Sequence, residues 1–104
     1  MYTVVYQVFR KETMSREEFA RYWTQEHPKY AASVPGIVTS VAYVVQSESA
    51  GPDDAPDGFA VLTYESRETF DASLSSPEMA TSSKDAANFI SRSVMFHVDT
   101  YRVL

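Results

Sequence analysis

The segment YTVVYQVF, residues 2–9, is apolar at nearly every position rather than at every second one. Successive side chains of a strand point to opposite faces of its sheet, so a strand with one wet face alternates apolar and polar residues. Large apolar residues here fall on both faces: Tyr2, Val4, Tyr6 and Val8 on one, Val5 and Phe9 on the other. The segment therefore predicts a strand that is covered on both faces.

Three further segments are rich in β-branched and aromatic residues and predict strands. They are IVTSVAYVVQ at residues 37–46, GFAVLTYE at residues 58–65 and SVMFHVDTYRVL at residues 93–104. In residues 37–46, apolar residues again occur at both odd and even positions, so both faces of this strand are also predicted to be covered.

A helix is predicted between the first two strands. Ser15 and Glu18, three residues apart, form a capping box that opens it. One face then repeats at helical spacing, with Phe19, Tyr22, Trp23, Glu26, His27 and Tyr30. The helix must end by the VPG at residues 34–36, and its aromatic stripe predicts the face that packs on the core.

A second, broken helical segment is predicted over residues 66–90. Ser66 can cap its first part, and Ser76 with Pro77 at the first helical position marks a second start. The element order is then β-α-β-β-α-β, the ferredoxin-like split βαβ arrangement with a four-stranded antiparallel sheet. At 104 residues, we expect one α+β domain over residues 1–104.

The two-sided strands leave one face of this sheet without a cover. The helices would cover only one side, and no predicted element remains for the other. A second copy of the chain is the simplest cover, so we expect a homodimer joined sheet to sheet.

Composition excludes several classes of partner. The net charge is −5, and the nine Lys and Arg residues are scattered rather than clustered, which argues against nucleic acid and anionic membrane surfaces. No apolar run reaches the roughly 18 residues of a membrane span, and no signal peptide is recognisable. We expect a soluble, cytoplasmic protein.

Metal and cofactor sites are not expected. The chain has no cysteine and only two histidines, which excludes thiolate catalysis and Cys-ligated metals. The acidic stretch SESAGPDDAPDG, residues 47–58, lacks the spacing of an EF-hand loop, and its Gly, Pro, Asp and Ser content predicts a solvated, mobile loop.

Four motifs occur along the chain: MSREEFARYWTQEHPKY at 14–30, VPGI at 34–37, DGFAVLTYES at 57–66 and SSPEMATSSKDAANFI at 75–90. Together they resemble the EthD-like family of dimeric α+β barrels, which is related to methylmuconolactone methylisomerase. The aromatic-Trp-x-x-x-His pattern of Tyr22, Trp23 and His27 is the most specific of these motifs. The resemblance implies sheet-to-sheet dimers with a pocket between sheet and helices in each subunit. Relatives of the family include isomerases, cyclases and cofactor-free monooxygenases.

One position departs from the family pattern. There, a tyrosine typically follows the glycine of PG by four residues and joins the helix histidine in the pocket, whereas this chain has Ser40. Tyr43 lies three residues further, on the other face of a regular strand. Serine can hydrogen-bond a carbonyl, but it is shorter and is not acidic near neutral pH. The resemblance implies a catalytic role for His27, which we expect to move a proton at a carbon next to a carbonyl, with Ser40 or a tyrosine hydroxyl stabilising the enolate oxygen.

His27 lies four residues after Trp23, on the core-facing stripe. It is either a capping or hydrogen-bonding group at a broken helix end, or an acid–base group, since imidazole exchanges protons near neutrality. Pro28 has no N–H for the carbonyl of Thr24, and its ring is expected to push His27 away from α geometry. Alternatively, Pro28 starts a separate terminal turn.

Five aromatic residues are predicted either to wall a pocket for a cyclic organic compound or to fill the core: Tyr6, Trp23, Tyr43, Tyr64 and Phe89. The hypothesis is a small cofactor-independent isomerase, cyclase or lactone-processing enzyme of catabolism or secondary metabolism. It would use acid–base chemistry on a hydrophobic, oxygenated ring. The alternatives are a non-catalytic binding or accessory protein and a cofactor-free monooxygenase.

Overall fold

The four predicted strands form one antiparallel sheet in the computed structural model, which describes residues 1–104. The strands are β1 (Tyr2–Arg10), β2 (Ile37–Val44), β3 (Gly58–Tyr64) and β4 (Ile90–Val98). Their spatial order is β2-β3-β1-β4, which confirms the ferredoxin-like arrangement. The last strand begins earlier than predicted and ends at Val98, so residues 99–104 lie outside the sheet.

The first helical segment begins at the predicted capping box. The amide of Glu18 donates to the Ser15 hydroxyl at 3.1 Å, and the amide of Ser15 donates to the Glu18 carboxylate at 3.2 Å. The segment consists of α1 (Arg16–Arg21), a π-helical turn (Tyr22–Glu26) and α2 (Pro28–Ala31).

The expected departure of His27 from α geometry is wrong, although the helix does restart at Pro28 after a π-helical turn. His27 keeps right-handed helical dihedral angles, φ −61° and ψ −33°. Pro28 is the first residue of α2, where its missing N–H costs nothing, so the alternative of a separate terminal turn is confirmed. The predicted stripe also ends early, because the side chains of Glu26 and Tyr30 are exposed.

The second helical segment is broken as predicted. The hydroxyl of Ser66 caps α3 (Arg67–Ser73), and that of Ser76 caps α4 (Pro77–Ala86). Each hydroxyl accepts a hydrogen bond at 3.1 Å from the amide three residues on. Pro77 takes the first helical position of α4.

The helices pack on one face of the sheet and form two core clusters with it. The first is built from Val8, Phe19, Trp23 and Phe89, and the second from Val4, Tyr64 and Phe70. Tyr6 packs against both clusters. The space between the two cores is therefore bordered by this tyrosine.

The opposite face of the sheet is apolar and carries no helix. Val5 on β1 is flanked by Val61 and Phe96, and Val61 in turn by Val41. The outer members of this row are open to solvent, with Val41 43% and Phe96 46% exposed. The two-sided apolar pattern of β1 thus continues across the whole sheet.

The acidic stretch is not solvated along its whole length. Asp57, its last acidic residue, accepts a hydrogen bond at 2.9 Å from the guanidinium of Arg16 and another at 2.9 Å from the backbone amide of Arg10. The amide of Asp57 donates to the carbonyl of Val8. These bonds fix the entry of β3 against β1, so the prediction of a mobile loop is wrong for Asp57.

Candidate active site

A cavity of about 280 Å³ lies between the sheet and the helices α2 and α4. Most of its lining is apolar, and none of its lining residues is Asp, Glu, Lys or Arg. A wider, more open depression shares Trp23, His27 and Ser40 with it and leads to the surface. The arrangement suits a small hydrophobic ligand that enters beside His27.

Five of the seven residues predicted for the site line this cavity: Tyr6, Trp23, His27, Ser40 and Phe89. Tyr43 and Tyr64 do not line it. Tyr43 lies on the open face of the sheet and is 57% exposed, whereas Tyr64 is completely buried in the second core cluster. The structure therefore gives no support to their predicted substrate contacts.

Small residues on β3 make room for the cavity. Ala60 pairs with Tyr6 and leaves space above the centre of the sheet. Gly58 lies beneath the indole of Trp23, and only a glycine leaves room there, since a Cβ would come within 2.5 Å of Trp23 Cζ3. The indole can therefore pack closely on the strand and form one wall of the cavity.

The imidazole of His27 is bound to a buried carboxylate. Its Nδ1 lies 2.8 Å from Oδ2 of Asp85, which α4 carries. Only 6% of Asp85 is exposed. No sequence interpretation had singled out this aspartate.

Two further side chains donate to Asp85. The hydroxyl of Tyr22 donates to Oδ1 at 2.6 Å, and the side-chain amide of Asn88 donates to the same oxygen at 3.2 Å. Burial alone would raise the pKa of the Asp85 carboxyl, but the hydrogen bonds it accepts outweigh burial and hold its pKa below the ordinary value. Asp85 is therefore a carboxylate at neutral pH.

The ionised Asp85 fixes the tautomer of His27. A carboxylate can only accept hydrogen bonds, so Nδ1 of His27 carries the proton and donates it. Nε2 has no partner within the chain and is not sealed from solvent. A neutral imidazole with this tautomer offers the lone pair of Nε2 as a base.

Two hydroxyl groups of the cavity are available as hydrogen-bond donors. Burial raises the pKa of the Tyr6 phenol, and the neighbouring Tyr64 raises it further. Tyr6 therefore keeps its proton and can donate it in a hydrogen bond. Ser40 lines the same cavity from β2, and neither hydroxyl has a partner within the chain.

Residues 11–93 match the EthD domain family. The chain belongs to the EthD family. No curated protein matches it. In this EthD chain no three acidic or histidine side chains come together as a metal site, and no helix is both long and apolar enough to cross a membrane.

Solved structures at low sequence identity share the fold. An EthD family protein from Bacillus halodurans has 12% identity and a TM-score of 0.68, with 95% of this chain and 100% of that chain covered. SnoaB, a cofactor-independent oxygenase from Streptomyces nogalater, has 12% identity and a TM-score of 0.62, covering 99% and 97%. A dimeric ferredoxin-like protein of unknown function from Thermobifida fusca has 15% identity and a TM-score of 0.66, covering 93% and 90%.

A sequence signal for Asp85 did exist in this EthD chain. Asp85 lies four residues before the aromatic Phe89 in the predicted helical segment 66–90, so helical spacing predicts that it shares a face with an apolar side chain of the core. A carboxylate on such a face is rarely buried without a partner. The signal indicates that a partner is needed, but nothing in the local sequence identifies it as His27.

Proposed function

We propose that this EthD-family protein is a cofactor-independent enzyme that transfers a proton on an uncharged, hydrophobic, oxygenated ring compound. The observation that carries the proposal is the hydrogen bond of His27 to the buried Asp85 at the wall of an apolar cavity. A histidine oriented by a carboxylate is the usual arrangement of a general base.

The lining of the cavity supports an uncharged substrate. No lysine or arginine lies there to pair with an anionic group, and an unpaired charge is costly to bury. Hydroxyl groups of serines and of Tyr6 can instead hydrogen-bond a carbonyl or hydroxyl of the ligand. A lactone, quinone or phenol-type ring fits these properties better than a carboxylate-bearing one.

In the proposed reaction, Nε2 of His27 removes a proton from a carbon next to a carbonyl. The C–H bond breaks, and its electron pair moves into an enolate with negative charge on the carbonyl oxygen. The hydroxyl of Ser40 or Tyr6 donates a hydrogen bond to that oxygen. Asp85 stabilises the imidazolium. In an isomerisation the imidazolium returns the proton to a different carbon; in a cyclisation the enolate carbon attacks a second carbonyl of the substrate, whose π bond opens to an alkoxide, and the imidazolium gives the proton to that oxygen.

Cofactor-free oxygenation is the second candidate. Its support is the fold shared with the cofactor-independent oxygenase SnoaB. The same deprotonation by His27 would give an electron-rich carbanion, which molecular oxygen would oxidise if the substrate is itself oxidisable. A non-catalytic binding protein would use the cavity without His27 as a base.

The test begins with a thermal-shift screen of lactones, aromatic ketones and polyketide-like phenols against the purified protein. Compounds that bind are incubated with it in D2O, and NMR measures deuterium uptake at carbon. We expect His27→Gln to lose at least tenfold in exchange rate while ligand affinity is retained. The matched control is His97→Gln, because His97 lies on β4 and hydrogen-bonds Tyr2.

Equal exchange rates in His27→Gln and the unaltered protein would remove His27 from the mechanism. Binding with no exchange in any variant would favour the non-catalytic binding protein. Oxygen consumption in the unaltered protein, lost in His27→Gln, would select the oxygenase.

The homodimer is also part of the proposal. The apolar open face of the sheet supports it, as does the dimeric Thermobifida fusca protein of the same fold. The partner would pack its own sheet on this face and leave the cavity on the helix side of each subunit.

A further inference from the structure

The helix that carries His27 changes its winding one turn before the histidine. From Tyr22 to Glu26 the backbone is π-helical, and the amide of His27 donates to the carbonyl of Tyr22 at 2.9 Å. The hydrogen bond spans five residues instead of four, so this turn contains one residue more than an α-helical turn.

The extra residue changes which side chains share a face. In a regular α-helix, residues five apart lie about 140° apart around the axis, so Tyr22 and His27 would point in different directions. The wider turn reduces this angle and brings His27 back toward the face of Tyr22. Turns of this kind in α-helices occur often at functional sites.

Both side chains meet one carboxylate. The Tyr22 hydroxyl lies 2.6 Å from Oδ1 of Asp85, and Nδ1 of His27 lies 2.8 Å from Oδ2. With its two oxygens held by different donors, the carboxylate group cannot rotate without breaking one of the bonds. Its orientation toward His27 is thereby fixed.

Both rings also pack on the same buried side chain. The ring centroids of Tyr22 and His27 lie 5.2 Å and 5.0 Å from that of Phe89. Phe89 is completely buried. The pair is therefore held against a rigid surface as well as against Asp85.

We propose that Tyr22 is a positioning residue for His27, acting through Asp85, and that the π-helical turn at Tyr22–Glu26 is the feature that makes this possible. The catalytic meaning of this arrangement rests on the proposed function. The arrangement itself can be measured without any substrate.

The measurement is 1H and 15N NMR of the His27 side chain. In the unaltered protein, we expect one tautomer with the proton on Nδ1, and a slowly exchanging Nδ1–H signal. In Tyr22→Phe, which keeps the packing on Phe89, we expect that proton to exchange several-fold faster. The control is Tyr30→Phe, a tyrosine of the same segment that is 38% exposed and that should leave the signal unchanged.

Deletion of Gln25 tests the turn itself. Removing this exposed residue leaves Tyr22 and His27 four residues apart, which a regular α-helix places on the same face. An α-helical turn can then do what the π-helical turn does in the unaltered protein, and we expect the slow Nδ1–H signal to persist. Gln25→Ala loses the same side chain but keeps the chain length, and it should behave like the unaltered protein.

An unchanged Nδ1–H signal in Tyr22→Phe overturns the proposal, as does loss of the signal in a folded deletion variant. If the deletion variant does not fold, the comparison of Tyr22→Phe with Tyr30→Phe decides alone. If NMR gives the expected result but His27→Gln still turns over substrate, the proposed function fails and the positioning of His27 stands.

Discussion

At the residue scale, Asp85 is the charged side chain that the fold buries most completely, at 6% exposure. A buried carboxylate destabilises a fold unless several donors satisfy it. Tyr22 and His27 supply those donors from the first helical segment, and Asn88 supplies one from the turn after α4. The same bonds that offset the burial of Asp85 orient the imidazole, so stability and proposed catalysis depend on one cluster.

Asp85→Asn should lower stability in a pH-dependent way. The folded pKa of Asp85 lies below its ordinary value of about 3.9, so the unfolded chain binds the proton more readily. Its contribution is complete above about pH 3.9 and is lost as the pH falls through the folded value. We expect Asp85→Asn to cost about 1–3 kcal/mol at pH 7, and the difference from the unaltered protein to shrink in acid.

Urea denaturation at neutral and acidic pH measures this difference. Asp71→Asn is the control, because Asp71 is exposed on α3 and pairs only loosely with Arg67, at 3.8 Å. Equal losses for Asp85→Asn at both pH values would contradict the assignment of Asp85 as a carboxylate in the folded chain.

The lining of the cavity gives a prediction about ligands. A lactone and its ring-opened hydroxy acid share nearly all their atoms, but only the hydroxy acid carries a charge at neutral pH. We expect the lactone to bind at least tenfold more tightly, because the cavity has no cation to pair with a carboxylate. Calorimetric titration of both compounds checks this, and preferential binding of the acid would refute an uncharged substrate.

At the element scale, the ends of helices and strands follow local chemistry. Ser15, Ser66 and Ser76 each cap a helix through an amide three residues on. Gly36 begins the turn into β2 with φ +86°, and a Cβ there would lie 2.3 Å from Cγ2 of Thr69. A glycine is therefore favoured at position 36 both because its backbone has a positive φ and because a side chain would clash with Thr69.

Gly36→Ala should destabilise the protein by about 1–3 kcal/mol. Part of the loss comes from the positive φ and part from the clash with Thr69. Thermal unfolding of Gly36→Ala, Thr69→Ala and the double variant separates the two. We expect the double variant to lose less than the sum of the single losses, whereas strict additivity would mean that the clash with Thr69 contributes nothing.

At the scale of the whole molecule, the sheet has one face packed by helices and one that is open and apolar. Val41, Tyr43 and Phe96 are all more than 40% exposed on the open face. A contiguous apolar surface of this kind is unfavourable in a monomer in water. The proposed homodimer would bury it.

Phe96→Glu should dissociate that dimer. Native mass spectrometry and size-exclusion chromatography at micromolar concentration should give twice the 11.7 kDa chain mass for the unaltered protein and a monomer for the variant. Leu74→Glu is the control, because Leu74 is 51% exposed at the end of α3. A monomeric unaltered protein would rule out the sheet-to-sheet dimer.

The cavity could be predicted only in part. Trp23 and His27 share a helical stripe, and Tyr6 and Ser40 lie at alternating strand positions, so periodicity brings these four to one side of the sheet. Phe89 lies in the turn between α4 and β4, where helical periodicity does not apply. Periodicity cannot tell a residue that lines a cavity from one that fills the core. Tyr64 lies on the same face of the sheet as the cavity, but its side chain is completely buried beside Phe70.

The sequence by itself determined the β-α-β-β-α-β order, the three serine caps and the apolar character of both sheet faces. These features depend on residues a few positions apart, whose preferences act before the chain is folded. Only the tertiary structure decided the partner of His27, because Asp85 lies 58 residues away. It also decided the π-helical turn, since that winding is stabilised by the contacts of Tyr22 and His27 with Asp85 and Phe89, which exist only when α4 packs beside the first helical segment.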